Sequence, residues 1–297
     1  MEESFKWRGH RDTNNMKLKQ ITIIGVGLIG GSLGLAIKKR HLASRLIGVT
    51  AHKSSLKKAL RRRAIDSGTL EVKDSVLGSD IVIIATPIHK VLNIMKKIAP
   101  YLKKGCIVID VASVKGVIVH SAEKILGKKA HFVGAHPMAG SEESGIDKAD
   151  GNLFKNAPCI LTKTGRTNVR ALKIAFNFWK KLGSKIYTLS PSEHDKRISA
   201  ISHLPHIAAC ALSLVAKPSS IEFASTGFKD TTRIAAGNPE LWMSIFMANR
   251  RNVASDIESY LKSLKGIRKS IVRGQRNKLR KLLLDAKKKR DILKYTD

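Results

Sequence analysis

The pattern of apolar and polar positions changes character once along the chain. Up to residue 189, short continuous apolar runs alternate with segments of helical period. The runs cover residues 21–24, 46–50, 80–87, 106–111, 131–134, 159–161 and 185–189. The periodic segments cover 33–39, 56–63, 89–98, 117–126 and 169–182. A short apolar run bounded by turn residues reads as a strand buried on both faces, the kind found in parallel sheets. Strands alternating with helices predict right-handed crossovers and a Rossmann-type doubly wound parallel sheet. From Pro191 onward the period is helical almost throughout, with breaks at Lys217-Pro218, Thr226-Gly227 and Gly237-Asn238-Pro239. The pattern thus predicts an α/β domain over residues 16–189 and an all-helical domain over 190–297. Residues 1–15 lack an apolar pattern and are expected to form a disordered extension. The helix predicted over 241–264 is apolar on more than one face, which predicts cover by a second chain.

The first apolar run leads into Gly25-Val26-Gly27-Leu28-Ile29-Gly30 and then a helical segment. In a strand–turn–helix unit the spacing G-x-G-x-x-G has a physical role at each glycine. Gly25 permits the tight turn, Gly27 lets backbone approach a pyrophosphate, and Gly30 lets the helix lie close on the strand. The free amides and the positive end of the helix dipole then hold the phosphates. A dinucleotide is the expected cofactor, with Leu28 and Ile29 in its turn. Thr86 and Pro87, where the run at 80–87 ends, are assigned to the same cleft. An acidic residue at the end of the second strand would bond the ribose 2′-hydroxyl of NAD. That position holds Thr50, followed by His52, Lys53 and Ser54, which suit a 2′-phosphate. The expectation is NAD(P), with a lean toward NADP.

Composition narrows the class. At 297 residues, 43% hydrophobic and 26% charged, the chain has material for about two globular domains. No apolar run in the sequence approaches the roughly 20 residues that span a bilayer, and residues 1–20 have no apolar core of a secretory signal. Cys106, Cys159 and Cys210 are widely spaced and read as reduced thiols of a cytoplasmic protein. The formal charge is +32. That surplus suits an anionic partner such as nucleic acid. It also suits a lysine-rich solvated surface, and the scarcity of interleaved aromatics favours the second reading.

Candidate chemistry lies at strand ends. Gly134-Ala135-His136-Pro137-Met138-Ala139-Gly140 is read as a glycine-rich loop after a strand, where α/β sheets place active sites. His136 suits general base work near an ordinary imidazole pKa of about 6.5, although a histidine before proline also suits a structural role. Ser113 is placed at the end of another strand, either in the same crevice or as a helix N-cap. His203 and His206 stand at helical spacing, but no acidic or cysteine ligand accompanies them, so no metal is expected. Arg233 suits bidentate capture of a carboxylate, or a surface salt bridge.

In order along the chain, Gly-Val-Gly-Leu-Ile-Gly-Gly-Ser-Leu, His-Pro-Met-Ala-Gly-Ser-Glu, Ser-His-Leu-Pro-His and Gly-Phe-Lys-Asp-Thr-Thr-Arg-Ile-Ala resemble the prephenate/arogenate dehydrogenase family from about Lys17 to Asp297. The resemblance implies a nucleotide-binding domain followed by a helical dimerisation domain. It implies oxidative decarboxylation of prephenate to 4-hydroxyphenylpyruvate, or of arogenate to tyrosine. Under it His136 is the base at the ring hydroxyl, Ser113 its hydrogen-bonding partner there, Arg233 a carboxylate ligand, His206 a substrate-pocket residue and Glu142 a polar gate. The expected partners are a small-molecule substrate and a second copy of the chain, with neither membrane nor specific nucleic acid. Thr50 departs from the family pattern and leaves NAD preference open. The regulatory domain that many members append is not expected. The rivals are another two-domain dehydrogenase, such as a β-hydroxyacid dehydrogenase or an imine reductase, and a basic nucleic-acid-binding protein on a Rossmann scaffold.

Overall fold

The computed structural model describes residues 18–140 and 145–293. The expected disordered extension at residues 1–15, and Glu142, lie outside the described residues. Eight strands form one sheet in the order β3-β2-β1-β4-β5-β6-β7-β8. They are β1 (Leu18–Ile24), β2 (Ala43–Val49), β3 (Ser67–Thr69), β4 (Ile81–Ile84), β5 (Ile107–Asp110), β6 (His131–Pro137), β7 (Pro158–Thr162) and β8 (Lys185–Leu189). The helices packed on this sheet are α1 (Leu28–Lys39), α2 (Lys53–Arg61), α3 (Val72–Ser75), α4 (Ile88–Ile98), α5 (Gly116–Leu126) and α6 (Val169–Lys181). Helices follow from there: α7 (Pro191–Ile198), α8 (Leu204–Val215), α9 (Pro218–Ile221), α10 (Thr226–Thr232), α11 (Pro239–Ala248), α12 (Arg250–Val272) and α13 (Arg276–Ile292).

Alternation along the strands builds a core on each face of the sheet. Ile21, Ile23, Ile81, Ile83, Ile107 and Ile109 face one side, where Trp179 closes the layer edge-on against Phe154 and Phe178. Val82, Ile84 and Val108 face the other side, against Val91, Met95 and Ile118. Both faces are therefore apolar, which is why these strands read as unbroken runs.

The structure corrects the reading of the fold in four places. β7 runs antiparallel to β6, with His136 opposite Ile160. A parallel step needs a crossover of a dozen or more residues, usually a helix. The described part of the β6–β7 connection holds no helix beyond the short turn Ile146–Lys148, and the chain returns antiparallel. β3 was not foreseen, because Ser-Gly-Thr carries no apolar run. α2 begins at Lys53 after an extended His52, three residues before the periodic segment 56–63. The helix expected over 241–264 is two helices, α11 and α12, broken at Asn249.

α7, a π-helical turn (Ser199–His203) and α8 run on as one stretch, Pro191–Val215. By length and composition this stretch could cross a bilayer, which the apolar runs of the sequence did not suggest. Its buried side includes His194, Asp195, His203 and His206; His194 and Asp195 are hydrogen-bonded to each other, whereas among the described residues His203 Nε2 and His206 Nδ1 meet no hydrogen-bonding group. Its exposed side includes Ile201 and Leu214.

Candidate active site

The carboxyl ends of β1, β4, β5 and β6 open on one edge of the sheet, where ligands bind in open α/β folds. At the end of β1, Gly25 adopts φ +96°, and a side chain there would strike the Ala85 carbonyl oxygen at 2.5 Å. A side chain on Gly30 would meet the Gly25 carbonyl oxygen at 1.9 Å. These two glycines let three backbone segments touch. Gly27 has nothing within 4 Å of the same position, so its open side is free for a phosphate at the start of α1. Leu28 and Ile29 form the first turn of α1. Thr86 and Pro87 follow β4, and the Thr86 hydroxyl is buried without a hydrogen-bond partner, as a group facing a cofactor would be. These features fit a dinucleotide.

Thr50 is buried just beyond β2, and its hydroxyl donates to the His52 carbonyl at 3.1 Å. His52 and Lys53 are exposed at the start of α2, whose first turn has no acidic residue. The end of β2 thus presents His52, the Lys53 ammonium and the amides that open α2 where a carboxylate would otherwise stand.

His136 is not in a loop. It is the sixth residue of β6, held by pairing with β7, and is only 7% exposed. Its Nδ1 lies 2.9 Å from His194 Nε2 on α7, and His194 Nδ1 lies 2.8 Å from Asp195 Oδ1. The Asp195 carboxylate accepts the amides of Lys115 and Gly116 at 2.8 Å each, at the start of α5. A side chain on Gly116 would come within 2.8 Å of Asp195 Oδ2, so glycine permits this grip. The chain of bonds assigns the tautomers. His194 donates from Nδ1 to the carboxylate, so its Nε2 accepts from His136 Nδ1–H. His136 then carries its lone pair on Nε2, the atom able to take a proton.

Burial pushes His136 well below the ordinary imidazole range, and the positive charge of Lys115 and the neighbouring His194 and His203 act in the same direction. The expectation of a base titrating near the ordinary value is corrected accordingly. Burial also lowers His194, against the opposing pull of Asp195, which is consistent with a neutral relay. Ser113 lies half-buried in the bend between β5 and α5 and does not cap that helix; Lys115 holds the N-cap position.

The second group of residues lies on the helical side. His206, on α8, is buried and stacked on Trp242 with ring centroids 3.7 Å apart and 17° between planes. His203 ends the π-helical turn, and burial takes it down to about 4. Asn249, at the break between α11 and α12, donates to the Asp195 carbonyl at 2.8 Å and lies 3.2 Å from His203 Nδ1. That contact explains the break: the turn aims the amide inward. Arg233 opens the short turn Arg233–Ala236, which ends at Gly237 against Trp242 and His206. Among the described residues, no three His, Cys, Asp or Glu side chains gather as a metal set.

Comparison with known proteins decides the family. Residues 33–188 match the prephenate dehydrogenase nucleotide-binding domain, and residues 190–285 match the prephenate dehydrogenase dimerization domain. The prephenate dehydrogenase of Bacillus subtilis is 35% identical over 94% of this chain and 77% of its own length. The chain belongs to the prephenate dehydrogenase family. It is an NAD(P)-dependent oxidoreductase. Prephenate dehydrogenase of Aquifex aeolicus, solved in complex with hydroxyphenyl propionate and NAD+, superposes with a TM-score of 0.87 at 34% identity over 93% of this chain and 98% of its own. Arogenate dehydrogenase of Synechocystis gives a TM-score of 0.81 at 34% identity, over 92% and 99%.

Against this prephenate dehydrogenase frame, three residues of the site were missed from sequence. His194, Asp195 and Asn249 lie in stretches that read as ordinary polar helix positions. The signal that was present is the adjacency His194-Asp195 just after a helix start, a ring beside a carboxylate.

Proposed function

We propose that the chain oxidises and decarboxylates prephenate to 4-hydroxyphenylpyruvate, with His136 as the base. The observation that carries this reading is the buried relay from Asp195 through His194 to His136 Nδ1, which leaves Nε2 basic. Bound at the glycine turn, NAD(P)+ supplies the hydride acceptor. His136 Nε2 takes the proton of the ring hydroxyl as the carbon bearing it loses hydride. The carboxylate across the ring then leaves as CO2, its bonding electrons make the ring aromatic, and the ring oxygen recovers the proton from His136. Ser113 holds that oxygen in line. Arg233 holds a substrate carboxylate, and His206, fixed by Trp242, shapes the pocket. Glu142 on the β6–β7 connection is proposed as a polar gate. Initial rates with prephenate and with arogenate, each with NAD and NADP, test the reading. Turnover of prephenate with CO2 release supports it; turnover of arogenate alone moves the assignment to arogenate dehydrogenase, and turnover of neither overturns it.

We also propose a preference for NADP over NAD. Thr50 offers no carboxylate to a ribose, while His52, Lys53 and the α2 amides suit a 2′-phosphate. Thr50→Asp is expected to swing the ratio of kcat/KM values toward NAD by roughly tenfold or more, since an anion would face the phosphate. A wild type that already prefers NAD strongly would contradict the preference.

The domain division at Ser190, the cytoplasmic location and the homodimer are proposed together. Leu214, Val215 and Val272 are 86%, 76% and 70% exposed in the single chain, and apolar helix faces of this kind persist where another chain covers them. Sedimentation at low micromolar concentration should show a dimer and no monomer; a stable, active monomer would contradict this.

A further inference from the structure

The bend between β5 and α5 carries an ion pair that the reaction described above does not use. Asp110 ends β5, and Lys115 directly precedes α5. Neither side chain has any exposure, and Lys115 Nζ donates to Asp110 Oδ2. The same oxygen accepts the Ala112 amide at 3.1 Å. Stability alone is a poor reason for such a pair, because desolvation offsets the attraction and apolar residues of similar size do as well or better. Its location gives a better one. Ser113 lies between the two residues, so the pair closes the loop that presents it. The backbone amide of Lys115 is also one of the two that hold the Asp195 carboxylate. The Lys115 side chain runs beneath β6, where a side chain on Gly134 would come within 3.1 Å of its Cδ. His136 stands two residues farther along that strand.

We propose that the Asp110–Lys115 pair is a positioning device for the reaction, holding the Ser113 loop and the amides that grip Asp195 in one register with His136. This rests on the reading of Ser113 and His136 as the residues that meet the substrate hydroxyl. The charged and titratable groups around His136 come from five elements. They are Lys115 at the α5 start; Asp110 at the end of β5; His194 and Asp195 on α7; His203 in the π-helical turn; and Cys159 on β7, whose thiol lies against the His136 backbone amide. In this arrangement Lys115 opposes protonation of His136. A pair that served packing alone would leave kcat unchanged when uncharged side chains of the same volume replace it.

The test replaces both partners, since removing one would strand a lone buried charge. Asp110→Asn with Lys115→Met keeps nearly the same volume and leaves an amide oxygen for the Ala112 N–H. The double variant is expected to melt within a few degrees of wild type and to keep its KM for the cofactor. Its kcat with prephenate should fall about 10–100-fold, the range expected from a displacement near 1 Å at a reacting group. The acid limb of its kcat profile should move to higher pH, because the positive charge opposing the His136 imidazolium is gone. A folded double variant with kcat within threefold of wild type and an unmoved limb overturns the proposal. If the double variant does not fold, Asp110→Glu, which keeps both charges and lengthens one arm of the pair, is assayed instead. A reduced kcat at an unchanged cofactor KM supports the proposal, and a wild-type kcat overturns it. His136→Asn is assayed alongside. Loss of activity there beside a wild-type double variant removes the positioning role and keeps the proposed function; near-normal activity there removes the proposed function itself.

Discussion

His136→Asn should lower kcat and kcat/KM together, by roughly 10²–10⁴-fold, the range for loss of a positioned general base. The substitution keeps polarity and approximate size in a buried strand position, so the fold should survive. An asparagine amide does not take a proton near neutral pH. Substrate binding should change little, because the base acts as the transition state forms and not in the ground state. His194 Nε2 loses a ring donor in the variant, but the asparagine amide can still donate toward it. Circular dichroism and cofactor titration would separate loss of chemistry from loss of structure. Near-normal kcat in a folded variant would make His136 a structural residue.

Arg233→Ala should act mainly through KM. A guanidinium bound to a carboxylate that is already present in the ground state stabilises substrate and transition state alike. Loss of a charge-assisted bond costs about 1.5–3 kcal/mol, which is roughly a 10–150-fold rise in KM for prephenate. The cofactor KM should stay close to wild type. The turn that carries Arg233 ends against His206 and Trp242, so the clearance there must be checked by the melting temperature of the variant. A drop in kcat with an unchanged KM would mean that Arg233 contributes to the chemical step and not to capture.

The two variants separate chemistry from binding, and they rest on parts of the fold that were unequally legible from sequence. The glycine turn was legible because its constraints are local. Gly25, Gly27 and Gly30 sit within six residues, next to the strand and helix that give them meaning. The strands of the parallel part were legible for a related reason: burial on both faces removes polar residues from a run such as Ile81–Ile84. β7 was located, but its direction was not. Direction depends on what the β6–β7 connection does in space, and a connection without a helix carries no periodicity to read.

The relay behind His136 was illegible for a different reason. His136 and His194 are 58 residues apart, and each occupies a position that a solvated or structural histidine could fill equally well. Only the packing of α7 across the ends of β6 and α5 brings them together. The same holds for Asn249, whose helix break looked like continuous helix because its neighbours on both sides keep the apolar period. Lys115 is the extreme case. Lysines are almost never fully buried unless paired, so nothing in the sequence distinguished this one from the many exposed lysines of a chain carrying +32. Its partner Asp110, five residues back, looked like the polar end of a strand.

The burial of His136 gives the account its sharpest measurable consequence. A neutral imidazole is the active form, so activity is lost as pH falls through the pKa of His136 in the complex. Burial and the adjoining positive charge lower that pKa, which moves the loss to more acidic pH than an exposed histidine near 6.5 would give. The decisive measurement is kcat for prephenate against pH, from initial rates, in wild type and in His136→Asn. The wild type is expected to hold a plateau that extends below pH 6.5 before an acid limb sets in, and the variant to show no such limb. A limb that persists unchanged in His136→Asn would contradict the account.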